Sequence, residues 1–313
     1  DTFYQRRLQV RFEDVEDDDT DNENFELDGL DRWRLDNELI QDGLLKASSD
    51  EELHDRLQAT LDRMARRGDL GMGVTEHRLR SELAGRLPDL FERYQNALAD
   101  WPEAVAEPLP FDYRFENALG SVEIADLIDN LRCNAQGELC RLVVASSSLL
   151  TGSGSSKKVR YANLMRDWLI HLAGQLGGQP FETLVLGKEE GRKFRFAPLH
   201  PERARPLFET VLSGWMDATT RALPIHCEAG FAWITSFYGG KKYVGDHERA
   251  ISEAEQAYTT ALERDTGYLM GAFETPERLM ASGEFEALLH QLYVPVWEAE
   301  QGKSAADQIG SVE

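Results

Sequence analysis

The stretch IADLIDNLRCNAQGELCRLVVASSS, Ile124 to Ser148, decides how the rest of the chain is read. It divides into two runs of strand character, and a five-residue loop from Asn134 to Glu138 sets Cys133 opposite Leu139 and Leu131 opposite Arg141. Carried two residues further, the register puts Asp129 in the middle of the first strand, facing Val143. Ala145 then lies one step along the same face.

A lone acid on a hairpin raises the question of divalent-metal chemistry. A magnesium site on two paired strands needs a carboxylate on each, with ion–oxygen distances of ~2.1 Å, and a lysine nearby to position the attacking water. Here the partner places hold Val143 and Ala145, and a slip of one residue brings Leu142 or Val144 instead. None is a ligand. The hairpin has the outline of a metal-dependent nuclease site without its chemistry, and Asp129 reads as a hairpin carboxylate bonded to a neighbour. His77, early on a long helix, is the histidine that would face such a site. Glu123 shares a face with Asp129 if the strand is unbulged, and with Asp126 it keeps open an active magnesium nuclease centred on Asp129.

Around the hairpin the periodicity alternates between strand and helix. RRLQVRF places Leu8, Val10 and Phe12 on one side of a half-buried strand. Between Glu13 and Asp28 ten of sixteen residues are acidic. Asp17, Asp19 and Asp21 fall on the first ligand positions of a calcium loop, but Asn22 replaces its turn glycine and Asp28 its bidentate glutamate, so a solvated loop is expected. Helical spacing follows in DGLDRWRLDNELIQDGLLK and in SSDEELHDRLQATLDRMARR, the second opened by a capping box of Ser49 and Glu52. A long helix from Val74 to Asp100 is expected to bend at Pro88.

Leu109, Phe111, Tyr113 and Phe115 then alternate along a strand pair that feeds the hairpin. Beyond the loop TGSGSSKK, the residues Tyr161, Leu164, Met165, Trp168, Leu169 and Leu172 form the apolar face of a helix expected to pack on the sheet. ETLVLGKEEGRKFRFAPL is a second hairpin with a charged turn from Lys188 to Arg192, and Pro201 opens a helix running to Asp217. Shorter helical stretches complete the chain.

Composition bounds the function. At 313 residues and 42% hydrophobic content the chain buries a large core. No apolar run reaches the ~20 residues that span a bilayer, and a cytoplasmic piece of a longer chain, with no membrane partner, is expected. Cys133, Cys140 and Cys227 lack metal-site spacing and read as reduced core thiols. No metal ion or other cofactor is called for. A net charge of −22 repels phosphate unless cations are gathered in one place. Three stretches gather them: Lys157, Lys158 and Arg160; Lys188, Arg192, Lys193 and Arg195; Lys241 and Lys242. In KKVRY, GRKFRF and GGKKY aromatic residues stand beside the cations, a mixture suited to DNA or partner contact, and each also reads as an ordinary solvated turn.

Taken in order, RRLQVRF, FELDGLDRWRL, RRGDL, LVLGKEEGRKFRFAPL and GFAWITSFY resemble the C-terminal domains of exodeoxyribonuclease V gamma subunits, the RecC family. The resemblance covers most of the chain and weakens beyond Asp246. It implies a degenerate restriction-endonuclease-like core of the PD-(D/E)XK type, α/β in the mixed α+β sense, with the sheet flanked by helices and with extra helical regions. The nuclease version carries G-x-x-x-H, then G-x-x-D, then D-x-K across the hairpin. Gly73 and His77 match the first, Asp126 to Asp129 the second without its glycine, and Val143 and Ala145 replace the third. His77, Asp129, Val143 and Ala145 are then vestigial site positions, in a domain of residues 1–245 with a helical insertion at about 29–105 and a helical extension at 246–313.

The function so implied is that of a subunit domain, not catalytic on its own, in the ATP-dependent RecBCD helicase–nuclease that processes double-strand DNA breaks for recombinational repair. Its partners would be RecB, RecD and duplex or forked DNA. An acidic protein-interaction module without DNA contact is the other alternative.

Overall fold

The computed structural model describes residues 28–152, 157–189, 193–239, 245–264 and 271–302. The strand expected at Leu8 to Phe12, the acidic loop with Asp17, Asp19 and Asp21, and the cations Arg192, Lys241 and Lys242 lie outside them.

Helix α1 spans Gly29–Glu38 and continues through a wide turn at Leu39–Gly43 and a tight one at Leu44–Lys46. Helix α2 is Asp50–Arg67, α3 is Val74–Ala84 and α4 is Leu87–Asp100. Then come β1 (Glu103–Ala104), β2 (Leu109–Asn117), β3 (Gly120–Ile128), β4 (Leu131–Cys133), β5 (Leu139–Val144), β6 (Leu150–Thr151) and β7 (Lys158–Val159). Helix α5 (Met165–Leu176), β8 (Phe181–Leu186) and β9 (Lys193–Phe196) complete the sheet region. Helices α6 (Pro201–Ala218), α7 (Cys227–Gly239), α8 (His247–Glu263), α9 (Pro276–Met280), α10 (Glu284–Leu288) and α11 (Val294–Glu300) follow.

Five strands form a mixed sheet in the order β1-β4-β5-β8-β9. β4 and β5 pair antiparallel in the expected register, with Leu131 opposite Arg141 and Cys133 opposite Leu139. The loop closes as its residues predict: Asn134 Oδ1 accepts from the amides of Gln136 and Glu138, and Gly137 takes a left-handed φ of 80°. β8 runs parallel to β5, and β9 returns antiparallel to β8 as the second hairpin. A parallel pair needs a crossover, and α5 supplies it.

The first strand of the opening stretch is not continuous. β3 pairs with β2 in a sheet of their own, and the chain breaks at Asp129 and Asn130 before β4 begins. Asn130 has a φ of +59°, a left-handed conformation that asparagine tolerates better than most residues. Asp129 therefore stands at a corner, not inside a strand, and no strand pairing sets it against Val143.

Helices cover both faces of the five-stranded sheet. On one, Cys140, Leu142, Leu184 and Leu186 share a core with α1, α2 and α4, including Leu35, Leu57 and Phe91. On the other, Phe181, Val185, Phe194 and Phe196 join a larger core with α5 to α11. The β2–β3 pair rests on α6, where the Phe208 ring stands edge-on to Phe111 and Tyr113. Phe111, Tyr113, Leu109 and Phe115 all pack against the larger core, as their alternation predicts. Cys140 is buried, Cys133 and Cys227 half-buried, and all three are free thiols.

Two local readings need correction. Pro88 does not bend one long helix: the helix ends at Ala84, and Pro88 lies in the first turn of α4, where its missing amide is not needed. At the start of α2 Ser49 accepts from the amide of Glu52, but the Glu52 carboxylate accepts from the hydroxyl and amide of Ser48, not of Ser49. Those bonds, with Arg56, hold the Glu52 carboxyl down at about 2.

The spacing of α5 from the sheet depends on Gly174. A Cβ there would lie 2.1 Å from two ring carbons of Phe181, so α5 approaches β8 more closely than any side chain allows. Gly174→Ala is expected to destabilise the protein by roughly 1–3 kcal/mol through overpacking, read as a lower thermal unfolding midpoint. Phe181→Leu in the same chain should restore part of the loss; an unchanged midpoint in the single variant would show a looser contact.

Candidate functional site

The face of β5 that the sequence analysis singled out lies under α5. Arg141 is the residue of that face next to Val143, and its guanidinium is buried where Asp167 of α5 accepts from it at 2.8 Å. One turn on, His171 Nδ1 accepts from the Thr183 hydroxyl of β8 at 2.9 Å, while its Nε2–H donates to the Ala197 carbonyl at 3.1 Å. A further turn on, Gln175 donates to the Phe181 carbonyl and accepts from the Leu199 amide. Asp167, His171 and Gln175 thus form a polar stripe at helical spacing, clamping β5, β8 and the exit of β9 to one helix.

Sequence reasoning missed this stripe. It read the apolar side of α5 as the sheet-packing face, and Tyr161, Leu164, Trp168 and Leu172 are indeed buried. The D-x-x-x-H-x-x-x-Q spacing was the available signal. Burial pushes the His171 imidazole down to about 4, against which the Ala197 carbonyl acts weakly. Arg141 Nε is buried without a hydrogen-bond partner among the described residues.

The positions named for a nuclease site do not converge. Val143 and Ala145 are half-buried apolar residues packed against the larger core. Asp129 is exposed and accepts from the amide group of its neighbour Asn130 at 3.1 Å. Glu123 faces solvent in a 3.4 Å ion pair with Arg114, and Asp126 accepts from the Leu127 amide. His77 is exposed on the first turn of α3. Among the described residues no group of three or more His, Cys, Asp or Glu could hold a metal ion.

The cations fare differently from one another. The Lys188 ammonium is paired with Asp36 of α1, both side chains largely buried, so it serves the contact between α1 and the sheet. Arg195 is paired with Glu182 of β8 although its own side chain is mostly exposed. Lys193 is exposed. Lys157, Lys158 and Arg160 are all exposed, and the last two line a cleft of about 690 Å³ bounded by β6, β7, α7 and α8. Among the described residues no helix is long and apolar enough to cross a membrane.

Comparison with known proteins adds two findings. The family model of the RecC C-terminal domain matches residues 1–238. The RecBCD enzyme subunit RecC of Escherichia coli (strain K12) is 24% identical over 266 residues, 83% of this chain and 20% of that protein. The chain thus spans about a fifth of the length of the curated relative it matches.

Two experiments check the stripe. Removing one partner of a buried ion pair strands the other, so Arg141→Met is expected to destabilise by about 3–5 kcal/mol in urea unfolding, and Arg141→Met with Asp167→Leu by much less. His171 is held neutral, with its folded value below the unfolded 6.5. Its contribution is therefore complete above pH 6.5 and is lost as the pH falls toward about 4, a loss on the order of 3 kcal/mol. His171→Gln should flatten that part of the stability–pH curve; equal slopes in both proteins would contradict the assignment.

Proposed function

Because the chain belongs to the family of RecC C-terminal domains, whose model covers residues 1–238, we propose that it is a nuclease-like domain that has given up catalysis and serves as a scaffold. On this reading it works within a RecBCD-type helicase–nuclease in double-strand break repair. It holds RecB and RecD and guides the strands of the DNA. Its sheet and helices are a degenerate restriction-endonuclease-like core, with His77, Asp129, Val143 and Ala145 at the former catalytic positions.

One observation carries the proposal. Val143 and Ala145, where D-x-K would stand, are half-buried against the larger core, and the adjoining Arg141 is locked to Asp167. Hydrolysis of a phosphodiester by a divalent ion requires several oxygen ligands converging on a solvent-accessible point. Asp129 at its corner has Asn130 for a partner, and the hydrogen bonds and ion pairs of Glu123 and Asp126 lie elsewhere. The net charge of −22 also suits a subunit that meets basic partner surfaces and leaves nucleic acid to a few gathered cations.

The reading is tested in the assembled complex with magnesium or manganese and linear duplex. Asp129→Ala should leave cleavage unchanged at every metal concentration. A variant complex that retains all its subunits but loses cleavage would make Asp129 a catalytic ligand and overturn the scaffold reading.

A further inference from the structure

The cleft between β7 and helices α7 and α8 reverses the sign of the chain. Lys158 of β7 and Arg160 just after it reach the cleft on one side, and Arg249 of α8 and Arg264 at the end of that helix on the other, against Glu228 and Glu253. Arg264 is paired with Glu228 at 2.6 Å. No carboxylate pairs with Lys158 or Arg160 among the described residues. In a chain with 56 acidic and 34 basic residues, two unpaired cations at one concavity are a local departure from the general field.

The helical wall carries charges of both signs, Arg249 and Arg264 with Glu228 and Glu253, and adds hydroxyl acceptors. The Thr235 hydroxyl donates to the Phe231 carbonyl at 2.7 Å and the Thr260 hydroxyl to the Gln256 carbonyl at 3.0 Å. Their hydrogens are spent, which leaves oxygen lone pairs to accept from a ligand. The floor is aromatic: Tyr161 stacks on Phe231 at 4.4 Å between ring centroids and Phe231 on Tyr293 at 4.9 Å. A ligand suited to this cleft carries anionic groups along one side and N–H or O–H donors along the other.

We infer that this cleft binds a short run of unpaired nucleotides, its phosphates on Lys158 and Arg160 and its sugar hydroxyls or base amino groups on the threonines of α7 and α8. A cavity of about 690 Å³ sits within the ~300–1,000 Å³ of ordinary ligand sites, a size that suits a few nucleotide units. An acidic peptide could also pair with the two cations, but an extended peptide sends successive side chains to opposite sides, so only alternate residues would face Lys158 and Arg160. The inference rests on the proposed function, since it needs nucleic acid to be within reach of this domain.

The test uses the whole complex and fluorescence anisotropy on two DNAs, a fork with single-stranded tails and a blunt duplex, over a salt series. Lys158→Glu with Arg160→Glu should weaken fork binding about tenfold and lower its salt slope by roughly 1.4, since each phosphate contact on a single strand contributes about 0.7. Blunt-duplex binding should not change. Thr235→Trp, which fills the cleft without altering charge, should also weaken the fork. Unchanged fork binding and salt slope in both variants would overturn the inference, leaving the scaffold reading intact. Loss of a partner subunit, with normal fork binding by the complex that remains assembled, would also overturn it and make the cleft a protein-docking site. Failure of the scaffold reading shows separately, as metal-dependent cleavage that disappears with Asp129.

Discussion

The interface between α5 and the sheet is wet in chemistry but dry in location, and the rest of the fold depends on it. An apolar helix face tolerates small slides along a sheet, because one methyl contact replaces another at little cost. The Arg141–Asp167 pair and the bonds of His171 and Gln175 do not. The bonds of Asp167, His171 and Gln175 reach fixed partners at fixed heights, so a shifted α5 would leave charges and amides unpaired in a buried region. With the close approach at Gly174, this fixes the parallel register of β5 and β8, where Arg141 lies beside Thr183 and Val143 beside Val185. It also fixes which β5 residues lie under the helix.

The two helical layers are held to that sheet by different means. On the side of α1 to α4 the contact is mainly aliphatic, with charged fasteners at its rim. Lys188 bonds Asp36, and Arg93 of α4 donates to the Gly187 carbonyl at 2.9 Å. On the other side aromatic contacts dominate, from Trp168 edge-on to Phe196 to the stacked column of Tyr161, Phe231 and Tyr293. Helices α8 to α11 contribute Ala250, Tyr258, Phe285 and Trp297 to the same core as the sheet. The cleft that gathers Lys158 and Arg160 forms because α7 and α8 close one side of it and β7 the other.

Much of this was legible in the residues, for identifiable reasons. The register from Leu131 to Arg141 followed from the five-residue loop at Asn134 to Glu138, and the second hairpin from the charged turn that parts its two runs. The break at Asn130 was not legible, because one residue of positive φ leaves the apolar pattern on both sides undisturbed. The proline at position 88 reads from the sequence as a bend inside one helix, since the bend and the first-turn position differ only in where the preceding helix stops. Of the site, the absence of acids at positions 143 and 145 was plain, but the buried roles of Arg141 and Lys188 were not. A charged side chain looks solvated until its partner, 26 residues away for Arg141 and 152 for Lys188, is known.

The corner at Asn130 has an evolutionary consequence. It uncouples the β2–β3 ribbon from the five-stranded sheet, and the ribbon turns back on itself at Asn117 and Gly120 with two residues between them. Lengthening that ribbon by a matched pair of residues at its tip would preserve which side chains rest on α6 and would never reach β4. A single residue added inside β5 ahead of Arg141 has no such freedom, as it would turn part of the strand by a face and bring Cys140 or Leu142 toward Asp167. Descendants of this chain can therefore vary the reach of the ribbon while the hairpin beside it stays fixed in length.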